Sequence, residues 1–206
     1  MLSPPTPPSK ASSQHENVTP SALKVEGNQA SIDGVPVHLL GKGVRKKRLV
    51  FNFDIYEVML FGKDPSSFDR DVQGNAALKS LTSMSLFGIR LKLLRDLSGD
   101  KIHESFSAAL SVNKVSESDA MAAFRRAIKA SGGVKKGEHI DLLVNISKGA
   151  LTLVQGHQIV VIKGDRAFFS QVFSIWLGTP ADSGLEDLRN KLIEGSDISK
   201  EPPSNV

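Results

Sequence analysis

Three apolar segments, residues 140–147, 150–154 and 158–163, follow one another with only Lys148-Gly149 and Gln155-Gly156-His157 between them. Gaps of two or three residues containing glycine close hairpins, whereas parallel neighbours need a crossover of a dozen residues or more. The region is therefore committed to an antiparallel meander, and a doubly wound parallel sheet is disfavoured. Helical patterns flank it. Ser98 is placed to cap a helix carrying Ile102, Phe106, Ala109 and Leu110, apolar at steps of three and four. Ser116-Glu117-Ser118-Asp119 opens a second, with Met121, Phe124 and Ile128 along it and Gly132-Gly133 as its stop. Asp165 begins a third bearing Phe168, Phe169, Val172, Phe173 and Trp176, and a last helix after Gly178-Thr179-Pro180 presents Leu185, Leu188 and Leu192. The order predicts an α+β fold in which an antiparallel sheet is covered by a layer of helices.

Upstream, Leu49, Phe51, Phe53 and Ile55 alternate with Val50, Asn52, Asp54 and Tyr56, which predicts a strand whose apolar face is the first set. The alternation then gives way to Val58-Met59-Leu60-Phe61, as expected of a strand covered on both faces or carrying a bulge. Residues 75–84 read as a short helix and 85–97 as a strand. Residues 1–28, rich in Pro and Ser, offer too few apolar side chains to offset ordering entropy and read as a disordered tail. The folded domain is expected over 29–196, with a second tail at 197–206. No apolar region follows a basic start and no run approaches a bilayer's thickness, so a soluble, cytoplasmic protein is expected.

The absence of cysteine excludes thiol catalysis, disulfides and thiolate metal sites. Five histidines show no metal-binding spacing, Gly41-x-Gly43 lacks a third glycine, and no Ser or Thr follows the lysines of residues 132–137, so neither metal nor cofactor is expected. The net charge of +4 is modest, and the basic run Arg45-Lys46-Lys47-Arg48 lacks the stacking aromatics of a nucleic-acid site. It reads as a solvated strand edge or turn, and no nucleic-acid partner is expected.

One cation in that run invites closer reading. Arg45 cannot discard its charge, so if buried it needs an oxygen partner, and few carboxylates lie nearby in the chain. Asp54 or another acid is one possibility. An anionic or carbonyl head group, held also by the hydroxyl of Tyr56, is the other. Arg45 and Tyr56 are an odd number of residues apart, so on one straight strand they would face opposite sides; their convergence requires a turn or bulge between them.

Four segments in order, Gly41-x-Gly43-Val44-Arg45, Ile55-Tyr56-Glu57-Val58-Met59-Leu60-Phe61, Leu94-Arg95-Asp96-Leu97-Ser98-Gly99 and Phe173-Ser174-Ile175-Trp176-Leu177-Gly178-Thr179-Pro180, resemble the chalcone isomerase family, particularly its chalcone isomerase-like members. The resemblance implies an open-faced antiparallel β-sandwich with helices layered on the sheet. It implies one of two activities: cyclisation of a chalcone to a flavanone, or fatty-acid binding without known catalysis. Arg45 matches the enzymes' arginine. Tyr56 stands where they have a threonine, which resembles the fatty-acid-binding branch; Ile102 and Ala109 fall on their tyrosine and asparagine positions, and Ile175 on a second threonine. Loss of positioned polar groups ordinarily costs orders of magnitude in rate. The resemblance thus favours a binding protein for a fatty acid or similar amphiphilic anion, with Arg45 and Tyr56 on the head and Ile102, Phe106, Ala109, Phe173 and Ile175 along the acyl chain. An isomerase with a degenerate site, in which Arg45 alone would be catalytic, and a protein-interaction module are the alternatives.

Overall fold

A computed structural model describes residues 18–26, 29–48 and 52–195. Among these residues eight strands run in sequence order across one antiparallel sheet: β1 (Leu23–Glu26), β2 (Gln29–Ile32), β3 (Val35–Arg48), β4 (Asn52–Gly62), β5 (Leu86–Leu93), β6 (His139–Asn145), β7 (Ala150–Gln155) and β8 (Gln158–Lys163). Five helices accompany them: α1 (Ala76–Ser83), α2 (Gly99–Val112), α3 (Asp119–Ala130), α4 (Arg166–Leu177) and α5 (Ser183–Glu194). The meander read from the last three strands is a property of the whole sheet. The α+β class and the open-faced sandwich both hold.

The helices begin where short polar side chains satisfy their first free N–H groups. Ser98, Ser118 and Asp165 accept from the backbone N–H of Lys101, Met121 and Phe168, and Asp182 does the same for Leu185. Gly132 and Gly133, both at positive φ, turn the chain away after α3. Helix α4 is apolar almost all round, with Phe168, Phe169, Val172, Phe173, Ile175, Trp176 and Leu177 buried. Such a helix must be covered on every side. It lies among α1, α2, α3 and α5 with its inner face on the sheet, where the Phe173 ring meets Phe87 edge-on at 5.0 Å.

The strands carry two cores. The helix-facing side contributes Leu40, Tyr56, Val58, Leu60, Phe87, Ile89, Leu91, Leu142, Val144, Leu151 and Leu153. The opposite side buries Ile32, Val37, Phe61, Leu86 and Leu143 in a smaller cluster, with Leu23 and Val25 of β1 packed on it. Asp33 ties this end of the sheet together, accepting from Ser21 Oγ and the Ala22 N–H at 3.0 Å and from Lys148 Nζ at 2.8 Å. β1 therefore lies within the range assigned above to the N-terminal tail. Its period-two pattern lasts only four residues, too short to stand out from a polar background. Residues 1–17 and the C-terminal tail lie outside the described residues.

The phase of β4 also differs from expectation. The helix-facing set is Tyr56, Val58 and Leu60, while Phe53 is 40% exposed, with the Arg95 guanidinium over its ring. A register shift lies within the same stretch: Arg45 pairs with Tyr56 but Lys46 pairs with Asp54, leaving Ile55 as an extra residue on β4 that packs on the helix-facing core beside Tyr56. Cover on both faces or a bulge was expected after Tyr56: Val58 and Leu60 pack into one core and Met59 and Phe61 into the other, and the bulge sits immediately before Tyr56. The alternation of residues 53–56 is thus broken where a straight strand would have continued it; Leu49 and Phe51 lie outside the described residues. The expected strand over 85–97 ends at Leu93, and Leu97 then bridges Val134.

Two glycines set the spacing between β3 and α5. A Cβ on Gly41 would overlap the backbone carbonyl of Leu192, whereas one on Gly43 would meet only side-chain atoms, Leu188 Cδ1 at 3.0 Å and Lys191 Cβ at 3.2 Å. Backbone cannot yield as a side-chain tip can. Gly41→Ala is accordingly expected to destabilise the fold by about 1–3 kcal/mol or more, and Gly43→Ala by less. Urea denaturation followed by circular dichroism checks the order of the two variants.

Candidate functional site

Arg45 and Tyr56 are directly opposed across the β3–β4 pair, so they share the helix-facing side of the sheet. The parity difficulty in the sequence disappears because they sit on two antiparallel strands. Both are buried, Arg45 at 7% and Tyr56 at 5% exposure.

The oxygen partner of Arg45 comes from far along the chain. Arg45 Nη2 donates to Asp182 Oδ2 at 2.6 Å, and Nη1 donates to the Lys46 carbonyl. Asp54 instead lies 4.0 Å from Lys46 Nζ. Asp182 is legible in the sequence as a helix cap, since Asp182-Ser183-Gly184-Leu185-Glu186 opens an apolar helical pattern, but nothing local links it to Arg45. Gly184 is part of the same arrangement. A Cβ there would strike both the Lys46 carbonyl and Arg45 Nη1, so only glycine lets the first turn of α5 come this close.

Trp176 completes the polar group. Its indole Nε1 is buried and has no hydrogen-bond partner among the described residues. The Tyr56 hydroxyl is close enough to feel this N–H without closing a bond of standard geometry. The spacing of Trp176 from Phe168, Phe169, Val172 and Phe173 is that of a buried helix face, and its ring lies in the core, 5.3 Å from Phe106 and 6.3 Å from Phe173. Its N–H was not anticipated as part of a site. A buried indole ordinarily finds an acceptor, which marks this one out.

The expected apolar wall is present as packed core. Ile102, Phe106 and Ala109 lie on one face of α2, and Phe173 and Ile175 on α4, all in the same cluster as Tyr56 and Trp176. Ala109 and Phe173 are 0% exposed, so no water-sized space adjoins them. Surface depressions of about 240 and 410 Å³ lie elsewhere, over Lys42, Val44 and Glu57 and between residues 72–75 and Arg189. Among the described residues no group of His, Asp and Glu gathers as a metal site, and no helix is long and apolar enough to cross a membrane.

Burial pushes the Tyr56 phenol above its ordinary value of 10.0; the Trp176 N–H and the Arg45 charge oppose the rise, and Asp182 adds to it. Tyr56 is thus a neutral hydrogen-bond donor throughout the physiological range. As the folded protein holds the phenolic proton more tightly than the unfolded chain, its contribution to stability is complete below the unfolded pKa and is lost as pH rises through the folded one. Tyr56 is the sole tyrosine, so absorbance titration reports it without overlap. The native midpoint is expected above 10.0, and that of the chain in guanidinium near 10.

The comparisons with known proteins agree with this architecture. A chalcone isomerase-like family model matches residues 22–193. Among solved structures, a fatty-acid binding protein of Arabidopsis thaliana superimposes with a TM-score of 0.55 at 18% identity, covering 87% of this chain and 100% of that one. At that identity the likeness speaks for the fold alone. No curated protein sequence matches. With its meander, its helical layer and a family match across nearly all the described residues, the chain belongs to the chalcone isomerase-like family.

Proposed function

We propose that this protein binds a fatty acid or similar amphiphilic anion, its head group held by Arg45, Tyr56 and Trp176 and its acyl chain received among Ile102, Phe106, Ala109, Phe173 and Ile175. The observation that carries the reading is the convergence of three donors, one of them an indole N–H with no acceptor, at the edge of a wholly apolar cluster. A carboxylate offers about four lone-pair sites, enough to accept from an indole, a phenol and a guanidinium together. The fatty-acid binding named for the Arabidopsis neighbour supports the same reading.

Affinity on this reading comes from the chain and orientation from the head. Each buried methylene contributes about 0.8 kcal/mol, so a dozen carbons outweigh any single polar contact. Because the wall residues are packed against one another, an acyl chain must part the helices from the sheet rather than slide into an open cleft. The apolar side chains of Ile102 and Ala109 also leave little on α2 to hydrogen-bond a hydroxylated aromatic substrate.

Mass spectrometry of lipid extracted from the purified protein tests the reading. Near-stoichiometric fatty acid is expected in the wild type, several-fold less in Trp176→Phe, as befits one lost hydrogen bond, and least of all in Arg45→Ala checked for native circular dichroism. A wild type that neither carries fatty acid nor takes up added dodecanoate, or equal lipid in all three proteins, would overturn it.

A further inference from the structure

The ion pair at the site is unequal in one respect. The Arg45 side chain is 8% exposed, whereas that of Asp182 is 50% exposed. Asp182 divides its two oxygens between two tasks: Oδ1 accepts from the Leu185 N–H at 2.9 Å and so caps α5, while Oδ2 accepts from Arg45 at 2.6 Å. The remaining terminal nitrogen of Arg45 is engaged by the Lys46 carbonyl.

A ligand carboxylate arriving beside Tyr56 and Trp176 therefore meets a guanidinium whose charge is already balanced. Two carboxylates at one buried guanidinium repel each other, and neither gains the full value of the pair. One must withdraw. Arg45 cannot follow either of them into water, because the sheet and the first turn of α5 enclose it, but Asp182 already has half its surface in solvent and can rehydrate by a rotation of its side chain. Its capping oxygen need not move far for that exchange.

We infer that Asp182 is an internal competitor for Arg45 that a ligand carboxylate displaces, and that it thereby sets the head-group selectivity of the site. This rests on the reading above that Arg45 receives the ligand's head. Anionic heads bind at the expense of the Arg45–Asp182 pair. Neutral heads, which ask only for a hydrogen bond from Tyr56 or Trp176, leave that pair in place. The wild-type protein thus discriminates less sharply between an acid and its alcohol than the bare guanidinium would.

The test uses the delipidated 206-residue chain and titration calorimetry with dodecanoate and with dodecanol, each below its aggregation concentration. Asp182→Asn preserves shape and capping while removing the charge, and Asp182→Ser, a comparable cap of different shape, guards against a folding artefact in the first. The expected result is about tenfold tighter dodecanoate binding in both variants with dodecanol unchanged. Unchanged dodecanoate affinity, or an equal gain for dodecanol that would report mere loosening of α5, overturns the exchange while leaving the fatty-acid reading intact. Absence of dodecanoate binding in wild type and variants alike overturns both.

Discussion

The closeness with which α5 lies against β3 decides what the site can be. Gly41 accepts the Leu192 carbonyl, Gly43 the Leu188 side chain, and Gly184 the carbonyl of Lys46 with the guanidinium of Arg45. With that approach Asp182 reaches Arg45 across 137 positions of sequence. Burial of the guanidinium with no carboxylate beside it would cost several kcal/mol, so the helix that covers Arg45 must also bring its partner. Docking of α5 and burial of Arg45 are conditions of each other. The glycine pattern that the sequence presents beside Arg45 thus has a packing role first and contributes to chemistry only through what it brings near.

Three arginines, Arg45 and Arg189 buried and Arg90 partly so, show how differently one side chain can be used. Arg90 meets Asp141 on the neighbouring strand through Nε and Nη2, each 2.7 Å from its own carboxylate oxygen, a closed two-pronged pair. Arg189 spends its donors on the carbonyls of Leu177, Val72 and Gly74, fastening α5 to the end of α4 and to the loop that leads into α1. Both have geometry that fits a structural role fully. Arg45 holds one oxygen of a half-exposed carboxylate and sits beside a phenol and an indole N–H without an acceptor. Of the three, its hydrogen bonding is the least closed, and it lies opposite Tyr56 of the main apolar cluster.

Much of the scaffold was legible because its signals are local. The glycine-containing gaps between residues 140 and 163 dictate hairpins, and Ser98, Ser118 and Asp165 mark helix starts whose capping bonds the fold contains. The reading of β4 failed for an equally definite reason. Period-two alternation presumes an unbroken pleat, and the extra residue at Ile55 lets Ile55 and Tyr56, neighbours in sequence, both pack on the helix-facing core. Trp176 was legible as an apolar ring on a buried helix face. Its unsatisfied N–H was not, because spacing along a helix says which way a side chain points and nothing of what acceptor stands opposite.

By itself the sequence determined the antiparallel order of the strands, the helical layer, the absence of sulfur chemistry and the presence of a charge at Arg45 that had to find an oxygen. Each of these follows from residue type and near-neighbour spacing. Only the tertiary structure decided that Arg45 and Tyr56 share a face, that the oxygen belongs to Asp182, and that the Trp176 N–H is buried without an acceptor in the same cluster. Those facts depend on strand register, a bulge and the close approach of a helix from the far end of the chain, and they arise only when segments distant in sequence are packed together.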